Sequence, residues 1–343
     1  EVAHVHGLWH LDFHHGSRPV LTTQGQWVTP QLLGVLDDRS RLCCHAQWYL
    51  AETAECLVHG LSQAIMKRGL PRALMSDNGS AMIAGETRQG LARLGIVHRT
   101  TLPHSPYQNG KQENFWTQIE GRLMAMLEGA TDLTLALLNH ATQAWVELEY
   151  HRRVHGETQQ TPIERLLAGP AVGRPSPTAE ALRHAFVVED ERRQRRTDGT
   201  LSVKSVRFEI PNRYRHLVRL TVRYASWDLS SVLLVDARTD TVLCRLSPLD
   251  KTANADARRR ALDPVDGVAV TTVAPAPPGD MAALLRHLLT EYAATGLPPA
   301  YLPTAESLPQ KDPPLSSTPA PNPAPNRPDP QPEVSDEKEY RQS

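Results

Sequence analysis

The sequence has few cysteines, and their spacing argues against zinc or disulfide chemistry. Four cysteines occur among 343 residues, at Cys43, Cys44, Cys56 and Cys244. None forms a CxxC pair, and no matching pair of histidines accompanies them, as a zinc site or a disulfide framework would require. Most of the 15 histidines are scattered along the chain, and we interpret them as polar surface or core residues.

Long apolar runs are also missing. No run approaches the roughly 20 residues that a bilayer-spanning helix needs, and no charged-then-apolar leader opens the chain. We therefore expect a cytoplasmic protein with no membrane partner. The chain begins at Glu1 and is already strand-like by Leu8, so we expect that an upstream part precedes it.

The chain has little net charge, but the charge is unevenly distributed. The formal net charge is −1. Between Arg183 and Arg223 there are 11 Lys/Arg against 5 Asp/Glu, whereas from Pro298 to the end there are 4 against 7. A basic middle region is compatible with nucleic-acid binding even when the whole chain is neutral.

The length allows two domains, and the first reads as a mixed α/β layer. Periodicity and turn residues predict strands at 7–15, 30–36, 41–50, 71–76 and 96–100, and helices at 53–69, 86–95, 108–128 and 132–151. Three strands followed by alternating helices and strands favour a mixed sheet over a doubly wound parallel one. This domain is predicted to span residues 1–152, followed by a linker of helix and loop at 153–180.

The second half has a different pattern. "LVRLTVRY" (217–224) alternates apolar and basic residues, and two further strands follow at 231–237 and 241–247. Short strands at this spacing predict a small β-barrel over 181–250. Beyond it we expect a linker at 251–279, an isolated amphipathic helix at 280–297 and a disordered Pro-rich tail at 298–343.

Three separated acidic residues are the candidate catalytic groups. Asp12 is predicted at the end of the first strand, Asp77 follows a short strand in "SDNGS", and Glu113 lies one turn inside a helix after "SPYQNGKQENF". Carboxylate oxygens suit Mg²⁺, and two such ions about 3.5–4 Å apart can clamp an in-line displacement at phosphorus. The small, polar approach at Asn109 and Gly110 would leave room for a nucleic-acid strand.

A simpler interpretation exists for each acid alone. An Asp at a strand end or a Glu in a first helical turn is more often a cap or a partner of the helix dipole. The adjacent pair Asp37-Asp38 is best interpreted as turn chemistry. The catalytic interpretation depends on all three acids occurring together, in this order.

These motifs resemble the catalytic core of the DDE transposases and retroviral-type integrases. The resembling segments are "LWHLDF", "GVLDDRSR", "LMSDNGS" and "SPYQNGKQENF", with 35 residues between Asp77 and Glu113, a gap typical of that core. The resemblance implies a ribonuclease-H-like fold. "YHRRVHGETQQTPIERL" (150–166) resembles the segment that closes this core in bacterial insertion-sequence transposases, and residues 180–250 resemble a Mu-type β-barrel.

The resemblance also implies an activity and partners. It implies Mg²⁺-dependent cleavage of DNA ends followed by strand transfer, with Asp12, Asp77 and Glu113 holding two ions for which Mn²⁺ could substitute. Implied partners are double-stranded DNA (transposon ends and target), further copies of the chain, and an AAA+ ATPase engaged by the C-terminal tail. A bacterial, nucleoid-associated location would follow. No covalent protein–DNA intermediate is needed, and no persuasive active-site tyrosine follows "HRRVH", so a tyrosine recombinase is disfavoured.

Candidate DNA contacts lie around the third acid and on the basic strands. They are Gln108, Asn109, Lys111, Arg122, Arg192, Arg193, Arg195, Arg196, Arg219 and Arg223. Helix capping by Gln108 and Asn109, and a solvated surface for the basic residues, stay open as alternatives. Two other functions also remain open: an inactive DNA-binding assembly protein, which the intact acids disfavour, and a ribonuclease-H-type metal nuclease, which the added basic barrel disfavours.

Overall fold

The computed structural model describes residues 1–101, 110–249 and 281–294. Seven strands belong to the first domain: β1 Trp9–His15, β2 Val20–Leu21, β3 Trp27–Val28, β4 Gln31–Asp37, β5 Cys43–Tyr49, β6 Ala73–Ser76 and β7 Val97–Thr100. Five of them form one sheet in the order β5-β4-β1-β6-β7, with β1, β4 and β5 antiparallel and β6 and β7 parallel to β1. The short strands β2 and β3 form a separate hairpin.

Helices cover both faces of this sheet. They are α1 Ala54–Arg68, α2 Ser80–Ile83, α3 Gly85–Arg93, α4 Gly110–Gln118, α5 Leu135–Leu148, α6 Pro162–Ala168 and α7 Ala179–Ala185. One apolar core joins α4 and α5 to the sheet around Trp48 and Trp145, and a second joins α1, α3 and α7 to the other face around Trp9. Because both faces are covered, every residue of β5 is buried. The predicted mixed sheet flanked by helices is confirmed.

Local signals set the ends of α1 as predicted. The Thr53 side chain accepts a hydrogen bond from Cys56 N at the start of the helix. The helix ends at Gly69, whose φ of 84° is in the left-handed region that glycine adopts at little cost. Thr53 therefore fixes where the loop after β5 passes into α1, and Gly69 fixes where the helix ends.

The helix predicted at 108–128 differs in detail. Its described part begins at Gly110 and passes into a π-helical stretch, Ile119–Met124. Gln108 and Asn109 lie outside the described residues, so their predicted contacts are untested. The helix predicted at 132–151 is α5, followed by a short 3₁₀ turn, Tyr150–Arg152.

The second part of the chain is all-β. Its strands are β8 Val188–Arg193, β9 Thr200–Val203, β10 Val206–Glu209, β11 Arg219–Ala225, β12 Asp228–Asp236 and β13 Thr241–Leu246. Four form an antiparallel sheet in the order β13-β12-β11-β8, and β9 and β10 form a hairpin that shares its core. Leu220, Val222 and Tyr224 of β11 are buried, as their alternation predicted. Closure of these strands into a Mu-type barrel stays a prediction.

The C-terminal helix is not the isolated element we expected. Helix α8, Ala283–Ala294, packs on α5 and buries Leu285, Leu288 and Leu289 in the first domain's core. The backbone N–H of Ala282 also donates to the carbonyl of Met126, at 3.2 Å. The period of its apolar residues predicted the helix, but no local pattern could show that α5 would cover its apolar face.

Two predicted segments lie outside the described residues. They are the linker at 251–279 and the Pro-rich tail at 298–343. Among the helices of the described part, none is long and apolar enough to cross a membrane.

Candidate active site

Two of the three predicted acids lie near each other on neighbouring strands in the middle of the sheet. Strands β1 and β6 are adjacent and parallel, so their carboxyl ends point the same way. Asp12 lies in the middle of β1, not at its end as predicted, because β1 continues to His15. Asp77 directly follows β6, where its Oδ1 accepts a hydrogen bond from Gly79 N at 2.9 Å. The structure therefore brings Asp12 and Asp77 together, as the sequence predicted.

Asp12 is electrostatically perturbed. Burial raises its pKa from the usual 3.8 to about 7, and the neighbouring carboxylates of Asp77 and Glu52 add to the rise. Hydrogen bonds from Phe13 N, at 2.9 Å, and from the Trp116 side chain oppose it. A carboxyl group with this pKa is only partly ionised at neutral pH, because like charges and poor solvation disfavour the anion.

Glu52 is a third carboxylate beside this pair that the sequence did not reveal. It lies in the loop just before α1. A Cβ built on Gly79 would stand 3.0 Å from Asp77 Oδ1 and 3.1 Å from Glu52 Oε1, so both acids approach Gly79 where any other residue would carry a side chain. The pKa of Glu52 is raised by burial and then by Asp77, while His15 lowers it. In sequence, Glu52 looks like an ordinary acid ahead of a helix.

Helix α4 lies beside Asp12 because Gly34 makes room for it. Gly34 of β4 pairs with Asp12 of β1, and a Cβ at Gly34 would collide with the Trp116 ring. The Trp116 side chain can therefore reach Asp12. Glu113 is exposed in the first turn of α4, three residues before Trp116 and about 60° from it around the helix.

The described residues do not show Glu113 in a metal site with Asp12 and Asp77. Within residues 1–101, 110–249 and 281–294, no group of three His, Cys, Asp or Glu side chains is arranged to hold a metal ion. A metal site shared by Asp12, Asp77 and Glu113 stays a prediction. The donors themselves suit Mg²⁺, since they are carboxylate oxygens and a cation would relieve the repulsion that raises the pKa of Asp12.

The pair Asp37-Asp38 has two different roles. Asp37 Oδ2 accepts hydrogen bonds from Ser40 N at 2.8 Å and Ser40 Oγ at 2.7 Å, which confirms the predicted turn chemistry. Asp38 instead forms an ion pair with Lys111, a predicted phosphate contact. The Lys111 charge is thus already partnered inside the protein, and its contact with DNA stays a prediction.

Several other predicted DNA contacts are paired with acids. Arg122 lies 2.6 Å from Glu149, Arg192 lies 2.7 Å from Asp190 and Arg219 lies 2.9 Å from Glu191. Arg223 lies 2.6 Å from Glu189 and also contacts Asp240. The strand pairing of β8 with β11 produces two of these contacts, Arg219–Glu191 and Arg223–Glu189. Arg193, Arg195 and Arg196 are exposed. Because surface ion pairs contribute only about 0–1 kcal/mol, phosphates could replace these acids, and DNA binding here stays a prediction.

Comparisons with known proteins agree with this architecture. A family model described as the integrase core domain matches residues 3–106. The Gag-Pol polyprotein of Rous sarcoma virus subgroup C (strain Prague) is 30% identical over 165 residues, covering 46% of this chain and 10% of the polyprotein. That of avian leukosis virus subgroup A (isolate RSA) is 29% identical over the same length, with the same shares covered. The chain thus spans about a tenth of the length of the curated relatives it matches.

The solved structures to which the chain is similar include an integrase catalytic core domain and an intasome. The HTLV-2 integrase catalytic core domain in complex with magnesium is 19% identical, with a TM-score of 0.38 over 47% of this chain and 95% of that one. The simian T-cell lymphotropic virus intasome in complex with PP2A regulatory subunit B56 gamma is 16% identical, with a TM-score of 0.43 over 72% of this chain and 78% of that one. The family match and the viral relatives confirm the resemblance of the first domain to the superfamily of retroviral-type integrases and DDE transposases.

Proposed function

We propose that this chain, whose first domain matches an integrase core, is a Mg²⁺-dependent DNA transposase or integrase of the DDE type. The observation that carries the proposal is the pair of carboxylates formed by Asp12 on β1 and Asp77 directly after the parallel strand β6, beside a helix that bears Glu113. Burial and like charge raise the pKa of Asp12 to about 7, and this is the electrostatic condition that favours binding of a divalent cation.

The residues of the site have distinct tasks. Asp12 and Asp77 would hold the ions, with Glu113 completing the set. When bound, Mg²⁺ supplies Lewis-acid activation of a water or a 3′-hydroxyl at the scissile phosphodiester. The hydrogen bonds from Phe13 N and Trp116 orient the Asp12 carboxylate, which must give up its proton before it can act as a ligand. Glu52 adds negative charge beside Asp77 and strengthens the local attraction for cations.

The reaction would have two stages. Hydrolysis at the end of the DNA element would expose a 3′-hydroxyl, and attack of that hydroxyl on a target phosphodiester would then join the strands. Each attack releases the 3′-oxygen of the broken bond as the leaving group. No covalent protein–DNA intermediate forms, so neither serine nor tyrosine is needed as a nucleophile.

A strand-transfer assay tests the proposal and separates it from its alternatives. The substrate is DNA carrying the sequences that flank this coding region, incubated with Mg²⁺ or Mn²⁺ and with wild type or Asp77→Asn. Joining by wild type that is lost in the variant supports the proposal. Cutting without joining would indicate a metal nuclease, and binding without either reaction would indicate an assembly protein. Asp132→Asn, at an exposed acid, is the matched control.

Partners and location belong to the same proposal. We include double-stranded DNA as substrate, a multimer of this chain assembled on DNA, and a cytoplasmic, nucleoid-associated location. Docking of an AAA+ ATPase on the C-terminal region is also retained. Because α5 covers the apolar face of α8, such an ATPase would have to contact the exposed face of α8 or residues beyond 294.

A further inference from the structure

The first turn of α4 is attached to strand β4 at two consecutive residues. Lys111 Nζ forms an ion pair with Asp38 Oδ1, just beyond the end of β4. Gln112 is buried, and its Nε2 donates to the carbonyl of Gly34 at 3.1 Å. The next residue in the chain is Glu113. Any displacement of this turn would therefore move the predicted third ligand.

Asp38 is an unusual partner for a lysine near the surface. Its side chain is only 3% exposed, and Lys111 is itself 23% exposed. Two further donors converge on the same carboxylate: His10 Nε2 at 2.7 Å from Oδ1, and Val2 N at 2.6 Å from Oδ2. A buried carboxylate with three donors has a well-defined position, whereas an exposed ion pair does not.

The geometry of the helix shows what these attachments control. Successive residues are 100° apart, so Gln112 and Trp116 share one face, and both of them contact Gly34. Lys111 and Glu113 are about 200° apart and point in nearly opposite directions. Holding Lys111 on one side of the helix therefore fixes its rotation and directs Glu113 to the other side.

We propose that Asp38 is a positioning residue for Glu113, acting through its ion pair with Lys111. The proposal rests on the proposed function, since it assigns a role toward the third metal ligand. It competes with the simpler view that Lys111 contacts a DNA phosphate. Loss of a group that orients a metal ligand typically costs 10- to 100-fold in metal affinity, whereas loss of one phosphate contact lowers the salt dependence of DNA binding by about one unit of slope.

The experiment uses the full chain and three variants. Lys111→Met keeps the aliphatic stem, Asp38→Asn keeps the shape of the carboxylate, and Lys204→Met changes an exposed lysine in the turn between β9 and β10 as the control. Mn²⁺ binding is measured by calorimetry, DNA binding is measured against salt concentration, and amide hydrogen exchange is followed in residues 110–118. Strand-transfer rates at saturating DNA are recorded as well.

The expected result is the same for Lys111→Met and Asp38→Asn. Each should weaken Mn²⁺ binding by about tenfold or more, speed amide exchange in the first turn of α4 and lower the strand-transfer rate at saturating DNA. The double variant should bind Mn²⁺ no more weakly than either single variant, because each single change already removes the same Lys111–Asp38 interaction. The slope of DNA affinity against salt should be unchanged. Lys111→Arg should retain most of the Mn²⁺ affinity, since its guanidinium can still reach Asp38.

Two results would overturn the proposal. One is unchanged Mn²⁺ affinity in Lys111→Met together with a salt slope reduced by about one, which would make Lys111 a phosphate contact. The other is additive losses in the double variant. If wild type itself neither binds Mn²⁺ nor transfers strands, the proposed function fails, and this outcome is distinct from both. Loss of folding in Lys111→Met would be visible as fast amide exchange throughout the first domain. In that case the Mn²⁺ affinity of Lys111→Arg, compared with that of wild type, would test the proposal instead.

Discussion

Replacing Asp12 by asparagine should stabilise the metal-free protein at pH 8 while abolishing strand transfer. The folded-state pKa of Asp12 is about 7, against 3.8 for an unperturbed carboxyl, because burial and the charges of Asp77 and Glu52 disfavour its anion. The folded protein therefore holds this proton more tightly than the unfolded chain. The stability that the protonated Asp12 carboxyl contributes is present at low pH and is lost as the pH rises from about 4 to about 7.

The size of the effect follows from the shift in pKa. A difference of about 3 units at 1.36 kcal/mol each gives an upper value of about 4 kcal/mol, and partial solvation of the group reduces it to roughly 2–4 kcal/mol. Asparagine removes the charge but keeps an oxygen that can accept the hydrogen bond from Phe13 N. The unfolding free energy of Asp12→Asn should thus exceed that of wild type by roughly 2–4 kcal/mol at pH 8, and by less than about 1 kcal/mol at pH 4.

Urea unfolding in EDTA at pH 4, 6 and 8 measures the difference in unfolding free energy. Asp132→Asn, at an exposed acid, is the control and should change stability by less than about 0.5 kcal/mol at each pH. Added Mg²⁺ should stabilise wild type and not Asp12→Asn, since ligand binding to the folded state stabilises it. A variant no more stable than wild type at pH 8 would refute the reasoning that burial and like charge disfavour the Asp12 anion.

Three further predictions concern the candidate active site. Gly34→Ala should cost about 1–3 kcal/mol in urea unfolding and slow strand transfer, because the added Cβ displaces the Trp116 ring; unchanged stability would contradict the packing of α4 on β4. Gly110→Ala should leave the unfolding free energy within about 0.5 kcal/mol, since no atom of the described residues lies within 4 Å of a Cβ added there, whereas the larger side chain of Gly110→Leu should obstruct the DNA strand and weaken binding in a gel-shift titration. Glu52→Gln should weaken Mn²⁺ binding measured by calorimetry without unfolding the protein, and equal affinity would exclude an electrostatic role for Glu52.

Local sequence signals predicted most of the first domain. The strands and helices around Asp12 and Asp77 were predicted because their periodicity, caps and turns are local, as Thr53, Gly69 and the Asp37–Ser40 turn illustrate. The meeting of Asp12 and Asp77 followed from the parallel pairing of their strands. The alternation of β11 likewise predicted its buried face correctly.

The contacts that the sequence did not reveal all join distant segments. Glu52 meets Asp77 only because the loop after β5 lies beside the loop after β6. Lys111 pairs with Asp38, which is 73 positions away, so no spacing around "QNGKQE" shows that its charge is already partnered. Arg219 and Arg223 face acids of β8 because of the strand register, whereas a count of basic residues predicted a free basic surface.

The return of α8 to the first domain changes how the all-β unit is joined to the rest of the molecule. Residues 188–249 leave the first domain after α7, whose Leu182 and Phe186 lie in its second core, and the chain comes back at Met281. The all-β unit is therefore an insertion with two points of attachment, not an appendage on a single hinge. Direct contacts also hold the all-β unit against the first domain: the backbone N–H of Ser226 donates to Glu86 Oε1 at 3.0 Å, and that of Glu189 donates to Gln89 Oε1 at 2.9 Å. Undocking of α8 would remove one of the two chain connections, and the contacts of Ser226 and Glu189 with α3 would then hold the all-β unit in place beside the single connection through α7.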